Sequence, residues 1–293
     1  MTIIRTPEER FVNLPDYQFE PNYVQLGDTR MHYVDEGDGP LVLMLHGDPT
    51  WSFLYRHIIA DLRREFRIVA PDLIGFGRSD KYAAAADYSY EMHCGKFRSF
   101  VETLDLLDVT LVVHDWGGPI GMRVATEMPE RFARLVLLNT FLSTGQSGLN
   151  LPFRAWRAFA RYSPILPVGL LLQAATVRWL SGEVLRGYKA PFHSRQAKAG
   201  ARIFPLLVPD SRDDPAAPAM RATFRAMRRW QRPALVMFGS KDPILGGLGA
   251  VFHRLIPGAQ DQPEITIGDA SHFLQEDSSA EVAGHIQAFI RRS

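Results

Sequence analysis

Apolar residues along the chain follow two patterns, one typical of strands and one typical of helices. A clear change from the first pattern to the second lies in the first half of the sequence. Residues 111–113, Leu-Val-Val, form an apolar run that leads directly into His-Asp-Trp-Gly-Gly at 114–118. Residues 120–125 then carry apolar side chains at helical spacing. Such a pattern predicts a buried strand, a tight bend and a helix, with Asp115 held at the bend.

Two alternating segments, at residues 19–26 and 30–35, predict further strands, and so do the segments at residues 40–47, 66–70, 133–140, 233–239 and 264–267. The first two are separated by Gly27-Asp28 and are typical of an antiparallel hairpin. Helical patterns alternate with the later strands, at residues 53–62, 90–107 and 281–292. This alternation predicts an α/β fold with a mostly parallel central sheet flanked by helices.

The alternation stops between residues 142 and 230, where no comparable strand pattern occurs. The segment instead shows helical patterns separated by prolines, at residues 153–162, 168–177, 182–189, 196–207 and 219–230. We therefore predict an all-helical cap inserted after the sixth strand. The expected division is 1–141 for the first part of the core, 142–230 for the cap and 231–293 for the second part of the core.

Composition narrows the class of protein. The chain has 293 residues, of which 46% are hydrophobic, and its formal net charge is +1. This balance implies no broad attraction to nucleic acid or to an acidic membrane, and the Arg-rich run 221–232 is interpreted as a solvated helix face. A single cysteine, Cys94, excludes an internal disulfide and a cysteine metal cluster. No segment has the pattern of a secretion signal or a membrane span, which predicts a cytoplasmic protein.

Three side chains with catalytic chemistry lie just past the carboxyl ends of predicted strands: Asp115, Asp242 and His272. Ligands bind at these strand ends in open α/β sheets. The order nucleophile, acid and histidine is that of an α/β-hydrolase triad, whose nucleophile stands on a glycine-rich elbow. A carboxylate in that place suits attack on an alkyl carbon, because it needs no prior loss of a proton.

Each of these residues also has a purely structural interpretation. Asp115 could cap the helix that follows it, and Asp242 could be an ordinary turn residue before a proline. His46 and His114 also follow strands, and we interpret them as residues that orient loops. The agreement of three independent placements favours the triad of Asp115, Asp242 and His272.

Five segments of the core carry a family resemblance. They read HGDPTWSFLYR at 46–56, DLIGFGRSDK at 72–81, HDWGG at 114–118, FGSKDPILG at 238–246 and DASHFLQE at 269–276. These segments resemble those of haloalkane dehalogenases, and most closely the subgroup with an Asp-His-Asp triad and two halide-binding tryptophans. The resemblance is weaker in the cap, where only 178–179 and 188–192 are recognisable, so the substrate pocket is the part least covered.

The resemblance implies an activity and its participants. Asp115 would displace the halide to form an alkyl ester, and His272, held by Asp242, would take a proton from the water that hydrolyses the ester. The products would be a primary alcohol, a halide ion and a proton. No metal or organic cofactor is expected. The expected partners are a small apolar halogenated substrate, water and the halide, with neither nucleic acid nor membrane, and we expect a monomer.

Two further groups of residues follow from the same resemblance. Backbone N–H groups of Asp48 and Trp116 would receive the negative charge that grows on the ester oxygen. Halide binding would use the indole of Trp116 and one tryptophan of the cap, for which the Arg-Trp context favours Trp179 over Trp156. The Asp48 carboxylate would oppose the departing anion unless it turns away or is hydrogen-bonded elsewhere, although the two-tryptophan subgroup also has an acidic residue there.

Other functions stay open on the sequence alone. Epoxide hydrolases share the elbow and triad but polarise the epoxide with two cap tyrosines, for which Tyr162 and Tyr188 are candidates. Their oxyanion loop usually has an aromatic residue at the position of Asp48. Fluoroacetate dehalogenases use arginines beside the nucleophile, where this chain has Trp116. A non-catalytic binding protein of the same fold would need no base such as His272. The preferred length of the haloalkane is not predicted.

Overall fold

The central sheet has eight strands, and their apolar sequences explain why most of them are buried. A computed structural model describes residues 1–146, 148–149, 151–163 and 165–293. The strands of this sheet are β1 (Asn22–Leu26), β2 (Thr29–Glu36), β3 (Leu41–Leu45), β4 (Arg67–Pro71), β5 (Val109–Asp115), β6 (Phe132–Thr140), β7 (Ala234–Gly239) and β8 (Glu264–Ile267). A separate pair of two-residue strands joins Ile3–Ile4 to Lys81–Tyr82.

The strand order across the sheet is β8-β7-β6-β5-β3-β4-β2-β1. Strands β3 to β8 pair in parallel, whereas β1 and β2 form the predicted antiparallel hairpin and β2 pairs antiparallel with β4. Every residue of β7, and every residue of β5 before Asp115, is buried. Strands covered on both faces read as continuous apolar runs, which is why the sequence predicted them.

Eleven α-helices are found in the described part of the chain. They are α1 (Arg56–Leu62), α2 (Tyr90–Thr103), α3 (Gly117–Glu127), α4 (Leu151–Tyr162), α5 (Val168–Ala174), α6 (Gly182–Lys189), α7 (Ala199–Leu207), α8 (Ala217–Met227), α9 (Gly249–Leu255), α10 (Leu274–Asp277) and α11 (Ser279–Arg292). Helices α4 to α8 lie between β6 and β7, where the sequence predicted an all-helical insertion after the sixth strand. We call residues 142–230 the cap.

The shortest helix, α10, ties the cap to the core, and the sequence analysis did not predict it. Glu276 accepts two hydrogen bonds from Arg56 of α1 and one from the hydroxyl of Tyr188 in the cap. Asp277 accepts the backbone N–H groups of Val177 and Arg178, also in the cap. Both acids are buried. Moving the cap away would leave these buried acids without partners, which is costly for a buried charge. These contacts therefore hold the cap in place against the core.

Two kinds of feature are absent from the part of the chain that the structure describes. Among the described residues, no helix combines the length and the apolar composition needed to cross a membrane. Within the same residues, no group of three or more His, Cys, Asp or Glu side chains is placed to hold a metal ion.

Candidate active site

The predicted elbow is present, and glycines make it sterically possible. Asp115 ends β5 with a φ of 49°, and α3 begins two residues later at Gly117. A Cβ atom on Gly117 would lie 2.2 Å from the carbonyl oxygen of Leu45, and one on Gly118 would lie 1.7 Å from the hydroxyl oxygen of Thr140. Since no side chain fits there, α3 approaches the sheet closely and lifts Asp115 to its edge.

The Asp115 carboxylate is surrounded by backbone donors. The N–H of Asp48 donates to its Oδ1 atom at 2.9 Å, and the N–H of Trp116 also donates to it. A Cβ atom on Gly47 would lie 2.3 Å from the same oxygen, so this approach also needs a glycine. Burial raises the pKa of Asp115, while the nearby His272 and the two N–H groups act in the opposite direction.

The structure brings His272 and Asp242 to the same place. His272 Nε2 lies 3.7 Å from Asp115 Oδ2, and its Nδ1 lies 2.9 Å from Asp242 Oδ2. The other oxygen of Asp242 accepts the backbone N–H groups of Ile244 and Leu245 at 2.8 and 3.0 Å. Burial would raise the pKa of Asp242, but His272 and these N–H groups lower it to about 2. Asp242 is therefore ionised and can fix the ring of His272.

The pKa of His272 reflects opposing influences. Burial lowers it, whereas the carboxylates of Asp242 and Asp115 raise it, and the net result is a pKa above the usual 6.5. His114 lies beneath the loop that carries His272, and burial holds the pKa of His114 well below 6.5. The neutral ring of His114 therefore donates from Nε2 to the carbonyl oxygen of His272 at 2.8 Å. This contact fixes the loop, in keeping with the interpretation made from the sequence.

Asn139 is a site residue that the sequence analysis missed. It is buried at the end of β6 with a φ of 29°. Its side-chain NH₂ group donates to Asp242 Oδ2 at 3.0 Å and to the carbonyl oxygen of Ser271 at 2.9 Å, and its oxygen accepts the N–H of Gly239 at 2.8 Å. The side-chain amide of Asn139 thus joins the loop that carries Asp242 to the loop that carries His272. The available signal was a polar residue directly after the apolar run of β6.

Above these side chains lies a cavity of about 250 Å³. Asp115, His272, Asp48 and Trp116 form its polar end. Its other walls are mainly apolar and come from both core and cap, including Phe141, Phe153, Trp156, Leu171, Ala175, Pro205, Ile244, Leu245 and Phe273. A buried carboxylate beside a histidine, facing an otherwise apolar cavity, suits chemistry on an uncharged apolar molecule.

Trp179 is the one predicted site residue that the structure does not place at this cavity. Its side chain is 85% exposed, and it lines a separate groove on the surface of the cap. Asp277 fixes the backbone of the two preceding residues, so the loop holds Trp179 outward. Trp156, the alternative, lines the cavity from α4 together with Trp116. The expectation that Trp179 lies at the cavity is therefore wrong, because its side chain lies on the surface of the cap.

Comparisons with known proteins identify the family. The profile of the α/β-hydrolase fold matches residues 40–279. A haloalkane dehalogenase of Mycolicibacterium paratuberculosis is 51% identical over 294 residues, which cover 98% of this chain and 97% of that protein. Haloalkane dehalogenase 1 of Mycobacterium tuberculosis is 53% identical, with 97% of both chains covered. The chain belongs to the haloalkane dehalogenase family.

A solved structure agrees with this assignment. The haloalkane dehalogenase DpaA of Paraglaciecola agarilytica superposes with a TM-score of 0.91 at 36% sequence identity, covering 97% of each chain. The predicted α/β-hydrolase fold and the resemblance to the haloalkane dehalogenase family are therefore confirmed. As a haloalkane dehalogenase, the protein is a hydrolase that acts on carbon–halide bonds.

In this haloalkane dehalogenase the position of Asp48 resolves a difficulty. The side chain is buried, and its Oδ1 atom has no hydrogen-bond partner among the described residues. Burial, reinforced by the adjacent Asp115, raises the pKa of Asp48 well above its usual value. This shift favours the neutral form of Asp48, which adds no negative charge that would oppose a departing halide.

Two cap tyrosines were candidates for polarising an epoxide, and neither reaches the cavity. Tyr162 is 76% exposed at the end of α4. Tyr188 is buried, and its hydroxyl donates to Glu276 in the contact that anchors the cap. Neither lines the cavity beside Asp115, so the described site has no pair of phenols to polarise an epoxide oxygen.

Proposed function

We propose that Asp115 is the nucleophile of the dehalogenation, with His272 as general base and Asp242 as the acid that orients it. The observation that carries this assignment is the chain of contacts from Asp115 through His272 to Asp242 at the floor of an apolar cavity. The carboxylates of Asp115 and Asp242, which flank His272, are needed there as anions, whereas the raised pKa of the third nearby acid, Asp48, favours its neutral form.

In the first step an oxygen of Asp115 attacks the carbon that bears the halogen. A carbon–oxygen bond forms, the carbon–halogen bond breaks, and the electron pair leaves with the halide. An indole N–H is a donor with no acceptor to compete, so it suits an anion in an apolar site. We assign this role to Trp116 and Trp156, which line the same cavity as Asp115.

In the second step His272 takes a proton from water, and the resulting hydroxide attacks the carbonyl carbon of the ester. Negative charge then grows on an oxygen of Asp115. The backbone N–H groups of Asp48 and Trp116, which bind the free carboxylate, are placed to stabilise it. Each such donor is worth about 3 kcal/mol in comparable sites. Collapse of this intermediate releases the alcohol and restores the Asp115 carboxylate, and His272 returns its proton to solvent.

The cavity supports small substrates. Its volume of about 250 Å³ is below the range of roughly 300–1,000 Å³ that is usual for ligand pockets. Short halogenated alkanes with few carbons therefore fit better than long chains or fused rings. A primary carbon is favoured, since the attacking oxygen must approach it directly opposite the halogen.

A product assay tests this proposal. The protein is incubated separately with 1,2-dibromoethane, 1-bromobutane and styrene oxide, and halide, acid and diol are measured. We expect halide and acid in equal amounts from both bromides, and no diol. An Asp115→Ala variant should release no halide. Diol from styrene oxide without halide from the bromides would instead assign an epoxide hydrolase, and the absence of all products would favour a binding protein.

The two cap tryptophans give a sharp test of halide binding. Trp156→Phe removes an indole N–H from the cavity, and a hydrogen bond to a charged group is worth about 1.5–3 kcal/mol. We expect kcat/KM for 1-bromobutane to fall by roughly 10- to 100-fold, and bromide to quench the fluorescence less. Trp179→Phe is the matched control and should change both quantities by less than about twofold. The opposite ranking of the two variants would contradict the assignment of Trp156.

The expectation of a monomer stays a prediction. The haloalkane dehalogenase of Paraglaciecola agarilytica is described as tetrameric. Nothing in the proposed chemistry requires a second subunit, because Asp115, His272, Asp242 and both tryptophans belong to one chain.

A further inference from the structure

The near-zero net charge of the chain conceals a strong separation of charge. Residues 142–230 contain 14 of the 33 Lys and Arg residues but only four of the 32 Asp and Glu residues. The cap therefore has a formal charge of +10, and the rest of the chain has −9. The expectation that no acidic partner would be attracted rested on the total of +1 and does not apply to the cap alone.

The cap also exposes apolar side chains. Among the described residues, seven of the eleven exposed large hydrophobic side chains belong to one part of the cap, from residue 151 to residue 179. Trp179 and Leu170 are the extreme cases within the helices and loops that follow α4, at 85% and 72% exposure. Single exposed apolar residues are ordinary, but exposed apolar residues that lie together mark a surface that contacts another molecule, and Leu170 and Trp179 line the same groove.

Charge and apolar surface meet in one groove, which we call the cap groove. It lies at the surface between α5 and α6, and the apolar side chains of Leu170, Leu185 and Trp179 line it. Four cations line it as well: Arg10, Arg186, Lys189 and Lys198. No carboxylate is found in this lining among the described residues. The groove has a volume of about 680 Å³ and shares no lining residue with the active-site cavity.

We propose that the cap groove docks the protein on an anionic lipid bilayer. Cations near such a surface are attracted to its headgroups, and tryptophan is enriched at the boundary between headgroups and acyl chains. Exposed leucine and tryptophan gain from contact with acyl chains, whereas a nucleic acid offers no such apolar surface to Leu170. A symmetric contact with the same groove of a second copy would bring the four cations of each groove together and repel.

Docking on a bilayer also fits the chemistry of the substrate. Small haloalkanes are apolar and concentrate in lipid rather than in water. The substrate cavity lies between the core and the cap, so a cap in contact with the membrane holds the cavity close to the phase in which the substrate accumulates. This benefit rests on the proposed substrate class, whereas binding to the bilayer itself does not.

Vesicle binding tests the proposal directly. The full chain is mixed with vesicles of phosphatidylcholine alone, or with one quarter phosphatidylglycerol, and sedimented at low and high salt. We expect binding only to the anionic vesicles, weakened by salt. The Trp179 emission should shift to shorter wavelength on binding, and this shift should be absent in Trp179→Phe. No sedimentation with anionic vesicles at low salt would overturn the proposal.

A matched pair of variants separates the groove from the general charge of the cap. Arg186→Gln/Lys189→Gln removes two charges from the groove, and Arg225→Gln/Arg229→Gln removes two from the exposed surface at the C-terminal end of α8. Each cation close to an anionic surface is worth about 1 kcal/mol, so the groove variant should bind vesicles about 30-fold more weakly. The α8 variant should lose less than about threefold.

The remaining outcomes are also decisive. Turnover of a dissolved bromoalkane should be unchanged in both double variants, which shows that they are folded. Equal losses in the two variants would mean attraction by overall charge and would overturn the role of the groove. Binding of a DNA duplex in place of vesicles, or a change of sedimentation coefficient in Trp179→Ala without lipid, would assign the groove to a nucleic acid or to a second copy.

Discussion

Replacing His272 by phenylalanine is expected to stop the reaction at the covalent ester. The first step needs only the Asp115 carboxylate, whose contacts with the N–H groups of Asp48 and Trp116 do not involve His272. The second step loses its base, and general bases contribute about 10²- to 10⁴-fold. With 1-bromobutane, we expect one bromide per active site in a single burst, and an intact mass that rises by one butyl group.

The structure indicates that this variant will fold. Without His272, the Asp242 carboxylate keeps its hydrogen bonds from Asn139, Ile244 and Leu245, so it is not left as an unpaired buried charge. The assay is best run above pH 7, because burial raises the pKa of Asp115 and the attack requires its ionised form. The double variant Asp115→Ala/His272→Phe is the control and should gain no mass. Continuous bromide release by His272→Phe would refute the role of general base.

That Asp115, Asp242 and His272 lie together could be predicted because the information needed is local in the sequence. Asp115, Asp242 and His272 each follow an apolar run, and parallel strands bring their carboxyl ends to one edge of the sheet. No distance between them had to be known. The elbow was predicted for the same reason, since Gly117 and Gly118 closely follow Asp115 in the chain and allow α3 to approach the sheet in the fold.

The sequence analysis favoured Trp179 over Trp156 as the cap tryptophan at the cavity, whereas the structure places Trp156 there and leaves Trp179 exposed. Both tryptophans have an arginine beside them in the chain, so only the folded position of α4 distinguishes the two. The anchoring acids of α10 were missed because a helix of four residues has no measurable period. The separation of charge between core and cap was present in the sequence but disappeared in the total of +1.

Asp242→Asn is expected to slow hydrolysis of the ester by roughly 10²- to 10⁴-fold while leaving its formation largely intact. An amide at this position no longer requires a proton on Nδ1 of His272, so the ring is free to adopt the tautomer that cannot accept a proton from water at Nε2. The ionised Asp242, with its pKa lowered to about 2, stays charged at every pH used for assays. Its loss therefore also changes how the reaction depends on pH.

The direction of that change follows from the charges around His272. A protonated His272 cannot accept a proton, so hydrolysis is lost as the pH falls through the pKa of this residue. Burial lowers that pKa, and Asp242 and Asp115 raise it above 6.5 in the free enzyme. In the ester, Asp115 has lost its charge, so only Asp242 still raises the pKa of His272.

In Asp242→Asn neither carboxylate acts on the ester form, and burial alone should bring the pKa of His272 below 6.5. We therefore expect the acid limb of hydrolysis to move to lower pH, measured by forming the ester and following its decay in single turnovers between about pH 5 and 9. Asp269→Asn is the matched control, since it removes an exposed acid three residues from His272 and should leave the limb in place. An unchanged limb in Asp242→Asn would show that the proton acceptor is a group other than His272.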